Sequence, residues 1–210
     1  MSPLSLPSFV LGCLCAFLCG SIPFGLLLVK LAGKGDVRAH GSGNIGATNV
    51  SRVGGKALGI LTLLLDIAKG FLPVFLGKQL GLGESPLSLL ALCAVLGHVF
   101  TPWLKFRGGK GVATALGVAL AFRASMVLPA LGVFLVLVLI FRYVSLGSVM
   151  AALALPLVLL WKGATPMVLL LWLAIVVIVI AKHHENIRRL LKGTESPLWG
   201  AKKESMHAQG

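Results

Sequence analysis

Seven apolar runs, separated by short polar connections, constrain this chain more than any other feature: Phe9–Val29, Ala57–Gly77, Leu87–Phe100, Val112–Phe122, Met126–Phe141, Val144–Trp161 and Pro166–Ala181. A chain of 210 residues has too little polar surface to bury that much apolar length in a water-soluble core. Residues are 57% hydrophobic and only 12% charged, whereas a soluble domain carries about a quarter charged residues. A bilayer core of about 30 Å accommodates such runs, provided that every backbone N–H and C=O is paired within a helix. The expected fold class is therefore an all-α integral membrane protein, one membrane-embedded domain over residues 1–210 with about seven transmembrane helices. The third and fourth runs fall below the roughly 20 residues that a full crossing needs. They are expected either as short helices extended by polar turns or as a hairpin dipping into the membrane.

Charge orients the chain. The net charge is +13, and the cations gather between the runs. An odd number of crossings puts Lys30–Lys56, Lys105–Lys110, Arg142 and the tail from Lys182 on one side, against only Lys78, Arg123 and Lys162 on the other. The cation-rich side is expected in the cytoplasm, which places the N-terminus outside and the C-terminus inside. Such a charge also suits anionic headgroups of the lipid bilayer, and no nucleic-acid-binding signature accompanies it. The first run has neither a basic leader nor a convincing cleavage site, so it is expected as a retained span. Cys13, Cys15, Cys19 and Cys93 make no C-x-x-C pair and are expected as buried apolar residues. Residues 196–210 are expected as a disordered tail.

Two glycine-rich loops interrupt the apolar pattern on the cation-rich side. The first runs Gly41-Ser42-Gly43-Asn44-Ile45-Gly46-Ala47-Thr48-Asn49-Val50-Ser51-Arg52; the second runs Phe106-Arg107-Gly108-Gly109-Lys110-Gly111-Val112-Ala113-Thr114. Glycine lets backbone N–H groups converge on one point, hydroxyls and amides add donors, and Arg52 or Lys110 adds charge. This is the chemistry of an oxyanion site, usually phosphate. The second loop opens directly into an apolar helix, whose N-terminus offers unpaired N–H groups. Topology brings both loops, the Arg142–Ser148 turn and the start of the tail to one face. That convergence predicts a single cytoplasm-facing site for a phosphorylated compound.

Other residues admit more than one reading. His183 and Asn186, in Lys182-His183-His184-Glu185-Asn186-Ile187-Arg188-Arg189, lie three apart and share a helix face. Adjacent His183 and His184 point apart on a helix, so no metal is expected there. His98 is equally a site residue or an interfacial cap. Asp66 and Lys69, three apart inside an apolar run, are functional candidates by their depth, and a structural pair lining the bundle is the favoured reading. Six scattered acidic residues are too few for a carboxylate-held magnesium site. There is no Walker A loop, no G-x-S-x-G elbow and no His-x4-Asp pair. No cofactor is expected. An enzyme acting on a phosphate ester, a transporter or exchanger of one, and a scaffold holding anionic lipid all remain compatible with these observations.

The motifs Gly41–Asn49, Gly108–Thr114 and His183–Ile187, with Ser21-Ile22-Pro23-Phe24-Gly25 before them, resemble in order the bacterial acyl-phosphate:glycerol-3-phosphate acyltransferases, the PlsY family. The resemblance runs from about Gly20 to Lys192. It implies seven helices around a cytoplasm-facing pocket in the bacterial inner membrane. It also implies acyl transfer from acyl phosphate to the 1-hydroxyl of glycerol 3-phosphate, giving lysophosphatidate and phosphate at the first step of phospholipid synthesis. Contact with the enzyme that supplies acyl phosphate is a further expectation. By motif match, Ser42, Arg52, Lys110 and His183 are the implied catalytic residues. Gly43, Asn44, Gly46, Thr48, Asn49, Gly109, Ser148 and Asn186 are the implied substrate contacts. Phe24, Trp103, Leu104 and Phe106 are expected to wall the acyl chain.

Overall fold

The computed structural model describes residues 5–198, and every regular element among them is helical. The α-helices are α1 (Leu6–Ser21), α2 (Phe24–Leu31), α3 (Ala47–Gly54), α4 (Lys56–Gln79), α5 (Glu84–Val99), α6 (Val112–Arg123), α7 (Val127–Phe141), α8 (Val144–Trp161), α9 (Pro166–Lys182) and α10 (His184–Leu191). One-turn 3₁₀ segments lie at Val37–Ala39, Pro102–Leu104 and Ala124–Met126. The tail expected at 196–210 falls, from residue 199 onward, outside the described residues.

The helices bury small and polar side chains and turn their large apolar ones outward. On α4 the buried residues are Gly59, Thr62, Asp66, Lys69, Gly70, Val74 and Gly77. This three- and four-residue spacing is a single helical stripe. The opposite face presents Ile60, Leu61, Leu64, Leu72 and Leu76, all exposed. Leu128, Leu135, Leu139 and Ile140 do the same on α7. Lipid tails solvate such a surface as well as another protein would, so packing selects small residues where helices meet. A β-carbon on Gly20 would run into the Ala94 carbonyl of α5, and one on Gly117 would run into the Ile67 carbonyl of α4. These contacts let α1 approach α5, and α6 approach α4, nearly backbone to backbone. The cysteines depart from expectation. Cys15 is exposed and the other three are only half-buried: Cys13 and Cys93 pack at the edge of the main apolar cluster, and the Cys19 thiol meets the Lys69 carbonyl of α4.

Five helical stretches are long and apolar enough to cross a bilayer, and six if Pro166–Lys182 and His184–Leu191, bent by 58°, count as one span. The expected seven differs through the stretch Val112–Phe141. It is continuous in length, but its halves run in opposite senses: α6 starts at the central cavity with Val112 and Ala113, and α7 returns to that cavity at Phe134. With 12 residues, α6 is about 18 Å long. Its shortness has a physical cause, because α6 starts well inside the bundle, with Thr114 packed against Gly70 near the middle of α4. The connection before it folds back along α5, where the N–H groups of Gly108 and Gly109 donate to the carbonyls of Val99 and His98 at 3.0 and 3.2 Å. Those carbonyls end α5 and have no partner within the helix. The first run is also broken, at Ile22–Pro23, because proline cannot supply the N–H that a continuous helix needs there.

Candidate active site

The Gly41–Arg52 loop is organised around one side chain. Asn49 is 2% exposed. Its Oδ1 accepts the Ser42 N–H at 2.9 Å, and its Nδ2 faces the carbonyls of Asn44, His40 and Val37 at 2.9 to 3.1 Å. Asn44 Oδ1 accepts the Gly46 N–H at 2.8 Å and sets the turn into α3. Gly41 and Gly43 take φ of 61° and 67°, values that L side chains rarely adopt. Asn49 is thus committed to the loop's own backbone, which leaves Ser42, Asn44, Thr48 and Arg52 to face a ligand.

One cavity of about 590 Å³ gathers the expected residues. Ser42, Asn44, Gly46, Thr48, Asn49 and Arg52 line it from the first loop and α3, Lys110 from the second loop, Ser148 from α8, and His183 and Asn186 from the α9–α10 junction. Two expected contacts do not line it. Gly43 forms a turn through its N–H to the His40 carbonyl at 3.1 Å. Gly109 lies behind the loop surface, where a β-carbon would strike the His98 imidazole. The apolar wall also differs from expectation. Leu63, Val112, Ala113, Phe134 and Val144 border the cavity, and Phe24, Trp103, Leu104 and Phe106 do not. Trp103 instead donates its indole N–H to Ser21 Oγ at 2.8 Å, next to the Thr101 hydroxyl bound to the Ser21 carbonyl, and so fastens the second loop to the end of α1.

Helix ends make the cavity electropositive. The first turns of α3, α6 and α8 contribute Ala47 and Thr48, Val112 and Ala113, and Val144 and Ser145 to its lining, and α10 begins beside it at His184. Each of these ends presents unpaired N–H groups and partial positive charge. Arg52 and Lys110 add full charges. Burial pushes the Lys110 ammonium below its usual range, against the opposing pull of the Glu195 carboxylate. His183, 2% exposed, meets the Val179 carbonyl through Nδ1 at 2.7 Å. A carbonyl only accepts, so Nδ1 carries the proton and Nε2 keeps a lone pair.

Glu195 escapes the sequence reading, whereas Asp66 and His98 are candidates it holds open between a site role and a structural one. Glu195 returns to the cavity after α10, and its Oε1 accepts from Asn186 Nδ2 at 2.6 Å and from Ser145 Oγ at 2.7 Å. Its Oε2 accepts from Arg189 Nε at 2.7 Å. Burial raises this carboxyl, but the three donors outweigh burial and hold it below the ordinary glutamate range. The Leu198 N–H bonds to the Arg142 carbonyl at 2.8 Å and ties the same segment to the α7–α8 turn. No local signal marks Glu195, because its partners lie 9, 50 and 6 residues away. Asp66 and His98 also reach the cavity lining, from α4 and from the end of α5.

Known proteins resemble this chain over nearly its whole length. A family model described as glycerol-3-phosphate acyltransferase matches residues 10–193. The glycerol-3-phosphate acyltransferase of Trichlorobacter lovleyi is 54% identical over 181 residues, covering 86% of this chain and 93% of that protein. That of Geobacter sulfurreducens is 51% identical over the same shares of the two chains. The crystal structure of PlsY (YgiH), an integral membrane glycerol 3-phosphate acyltransferase, in its glycerol 3-phosphate form superposes with a TM-score of 0.87 at 43% identity, covering 92% of this chain and 96% of that one. Its lysophosphatidic acid form gives 0.84 at 42% identity, covering 90% and 95%. A helical membrane fold, a cationic cavity built from the expected motifs and near-full-length similarity converge, and the chain belongs to the glycerol-3-phosphate acyltransferase family.

Proposed function

We propose that this protein transfers an acyl chain from acyl phosphate, rather than from acyl-CoA, to the 1-hydroxyl of glycerol 3-phosphate, releasing lysophosphatidate and phosphate. The observation that carries this reading is the anion capacity gathered in one cavity: helix N-termini from several elements together with Arg52 and Lys110. This suits two phosphates at once, one on each substrate, better than it suits one. The donor is an activated mixed anhydride, so orientation and charge stabilisation supply most of the acceleration.

In the step itself, the glycerol 1-oxygen attacks the acyl carbonyl carbon, the bond from that carbon to the phosphate oxygen breaks, and the electron pair leaves with phosphate. Lys110 and Arg52 stabilise the departing charge. Ser42, Asn44, Thr48 and the first turn of α3 hold the acyl phosphate. His183 Nε2 and Asn186 orient glycerol 3-phosphate, and Ser148 borders the same space. A substrate phosphate takes the hydroxyl proton, with His183 as the competing acceptor. The acyl chain follows Leu63, Val112, Phe134 and Val144 toward lipid. With α6 and α7 counted separately, the chain crosses the inner membrane seven times, with its N-terminus outside and the cavity open to the cytoplasm. The cation-rich connections on the cavity side support this orientation.

The test is purified protein in detergent with palmitoyl phosphate and glycerol 3-phosphate, following phosphate and lysophosphatidate together, with palmitoyl-CoA in parallel. One-to-one release from palmitoyl phosphate alone is expected. Product only from the CoA ester would overturn the donor.

A further inference from the structure

Beneath the cavity lies a buried polar cluster that the transfer step does not use. Asp66, Lys69 and His98 are 2%, 3% and 4% exposed. Lys69 Nζ sits 2.7 Å from Asp66 Oδ1, and its hydrogen bond goes to the Ile22 carbonyl at 2.6 Å, at the break between α1 and α2. His98 Nδ1 points toward the same carboxylate from 3.8 Å, about 0.6 Å beyond the upper end of ordinary hydrogen-bond length. Asp66 Oδ1 and His98 Nδ1 are both buried, and neither makes a hydrogen bond among the described residues, so the attraction between them is electrostatic. The opposite edge of the imidazole abuts Gly109, where a β-carbon would strike Nε2. Gly109 is also pinned by its N–H to the His98 carbonyl, and the next residue is Lys110. His98 therefore stands as a spacer between a carboxylate on α4 and the peptide that carries the cavity's lysine.

Charges at this depth are costly, and a pair kept there needs a reason beyond stability. An α4–α5 contact would pack as well with apolar side chains. An apolar pair would not fix the rotation of a ring against Gly109. We propose that Asp66 and His98 are positioning residues for Lys110: the Asp66 carboxylate orients the His98 imidazole, and the imidazole sets the Gly108–Lys110 peptide so that the ammonium faces the substrate anion. This inference rests on the acyl-transfer reading for its kinetic consequence and on geometry alone for its structural one.

The experiment compares wild type, Lys110→Ala, His98→Ala, Asp66→Asn and the two doubles with Lys110→Ala, in the palmitoyl phosphate assay. Melting temperature and the acylation rate of Lys110 by a small amine-reactive anhydride, read by peptide mass spectrometry, are measured on the same samples. His98→Ala is expected to lower kcat by about 10²-fold, as a misplacement near 1 Å does. It should also change Lys110 acylation severalfold while Lys56 keeps its rate. In the Lys110→Ala background the His98 and Asp66 substitutions should cost no more than about twofold further, because residues acting through one group are not additive. Multiplying losses, or an unchanged Lys110 acylation rate, would overturn the proposal. Where His98→Ala does not fold, His98→Gln keeps a planar polar group and answers the same question. Wild-type protein that makes no lysophosphatidate would overturn the acyl-transfer reading instead, and the acylation rates would still decide the positioning role.

Discussion

The carboxamide oxygen of Asn49 accepts the backbone N–H of Ser42 at 2.9 Å across seven residues of chain, and this one bond closes the loop that forms the cavity's rim. The same carboxamide faces three backbone carbonyls through its nitrogen. Asn49→Asp would set a negative charge against those carbonyls, and Asn49→Ala would orphan the Ser42 N–H. The Val37 carbonyl would lose its buried partner as well, and a buried group left without one costs about 1–3 kcal/mol. Both variants are expected to lower the melting temperature and raise KM for the phosphorylated substrates, with Asn49→Asp the worse of the two. Thermal unfolding in detergent and steady-state kinetics check this. A conservative Asn49→Asp with wild-type KM would contradict the clamp.

Lys110 supplies charge at the cavity, and no carboxylate among the described residues is bonded to it. Lys110→Ala is expected to lower kcat/KM by about 10²–10³-fold, the range for losing one donor to a developing anion, while the melting temperature changes little. Burial pulls the ammonium's pKa down from 10.5, so the charged form is lost earlier on the alkaline side than for an exposed lysine. Activity should therefore decline as pH rises toward that lowered value. Lys110→Arg, charged throughout, should lose this alkaline limb even if its absolute rate is lower. A limb that survives in the arginine variant would assign it elsewhere.

Glu195 joins α8, α10 and the returning C-terminal segment. Its carboxyl is held below the ordinary value of 4.5. The stability this contributes is fully present above 4.5 and is lost as pH falls through the folded-state value. Glu195→Gln keeps the shape but loses the charge-assisted bond to Arg189. It should lower the melting temperature at pH 7 by a few degrees and flatten the dependence of melting temperature on pH in the acid range. A variant with the wild-type acid slope would show that another group controls it.

Gly117 sits where α6 meets the backbone of α4, with the Ile67 carbonyl and the Phe71 N–H nearby. Gly117→Val forces the helices apart and should cost about 1–3 kcal/mol or more. The expected result is poor recovery of monodisperse protein and loss of activity. Gly132, whose β-carbon would meet nothing within 4 Å, is the control: Gly132→Ala should be tolerated. Size-exclusion profiles of the two variants decide between packing and a general intolerance of larger residues in these helices.

His183 tests the proton's destination. His183→Ala is expected to raise KM for glycerol 3-phosphate while retaining measurable kcat, as fits an orienting acceptor. Loss of most kcat at unchanged KM, together with loss of one limb of the pH profile, would make His183 the base.

Much of this protein was legible in the residues themselves. Apolar runs of membrane length admit only helices, because lipid leaves no other way to pair the backbone, and the Gly41–Asn49, Gly108–Thr114 and His183–Ile187 motifs carry their chemistry in local order. Seventeen residues of α9 from Pro166 to Lys182 declare themselves by composition alone. Other features depended on which helices meet. That α6 begins halfway down α4 follows from glycine-mediated contact between them, and no window of sequence around Val112 encodes it. Asn49 looks like a ligand in its motif, yet its carboxamide is committed to carbonyls that only the folded loop brings around it. Glu195, Asp66 and His98 enter the site because α4, α5, α8 and α10 converge there, and side chains drawn together across tens of residues leave no periodic trace in the chain. Local chemistry and solvent preference are properties of the sequence; the distances that turn a carboxylate, an imidazole and a glycine into neighbours are properties of packing, and only the tertiary structure determines them.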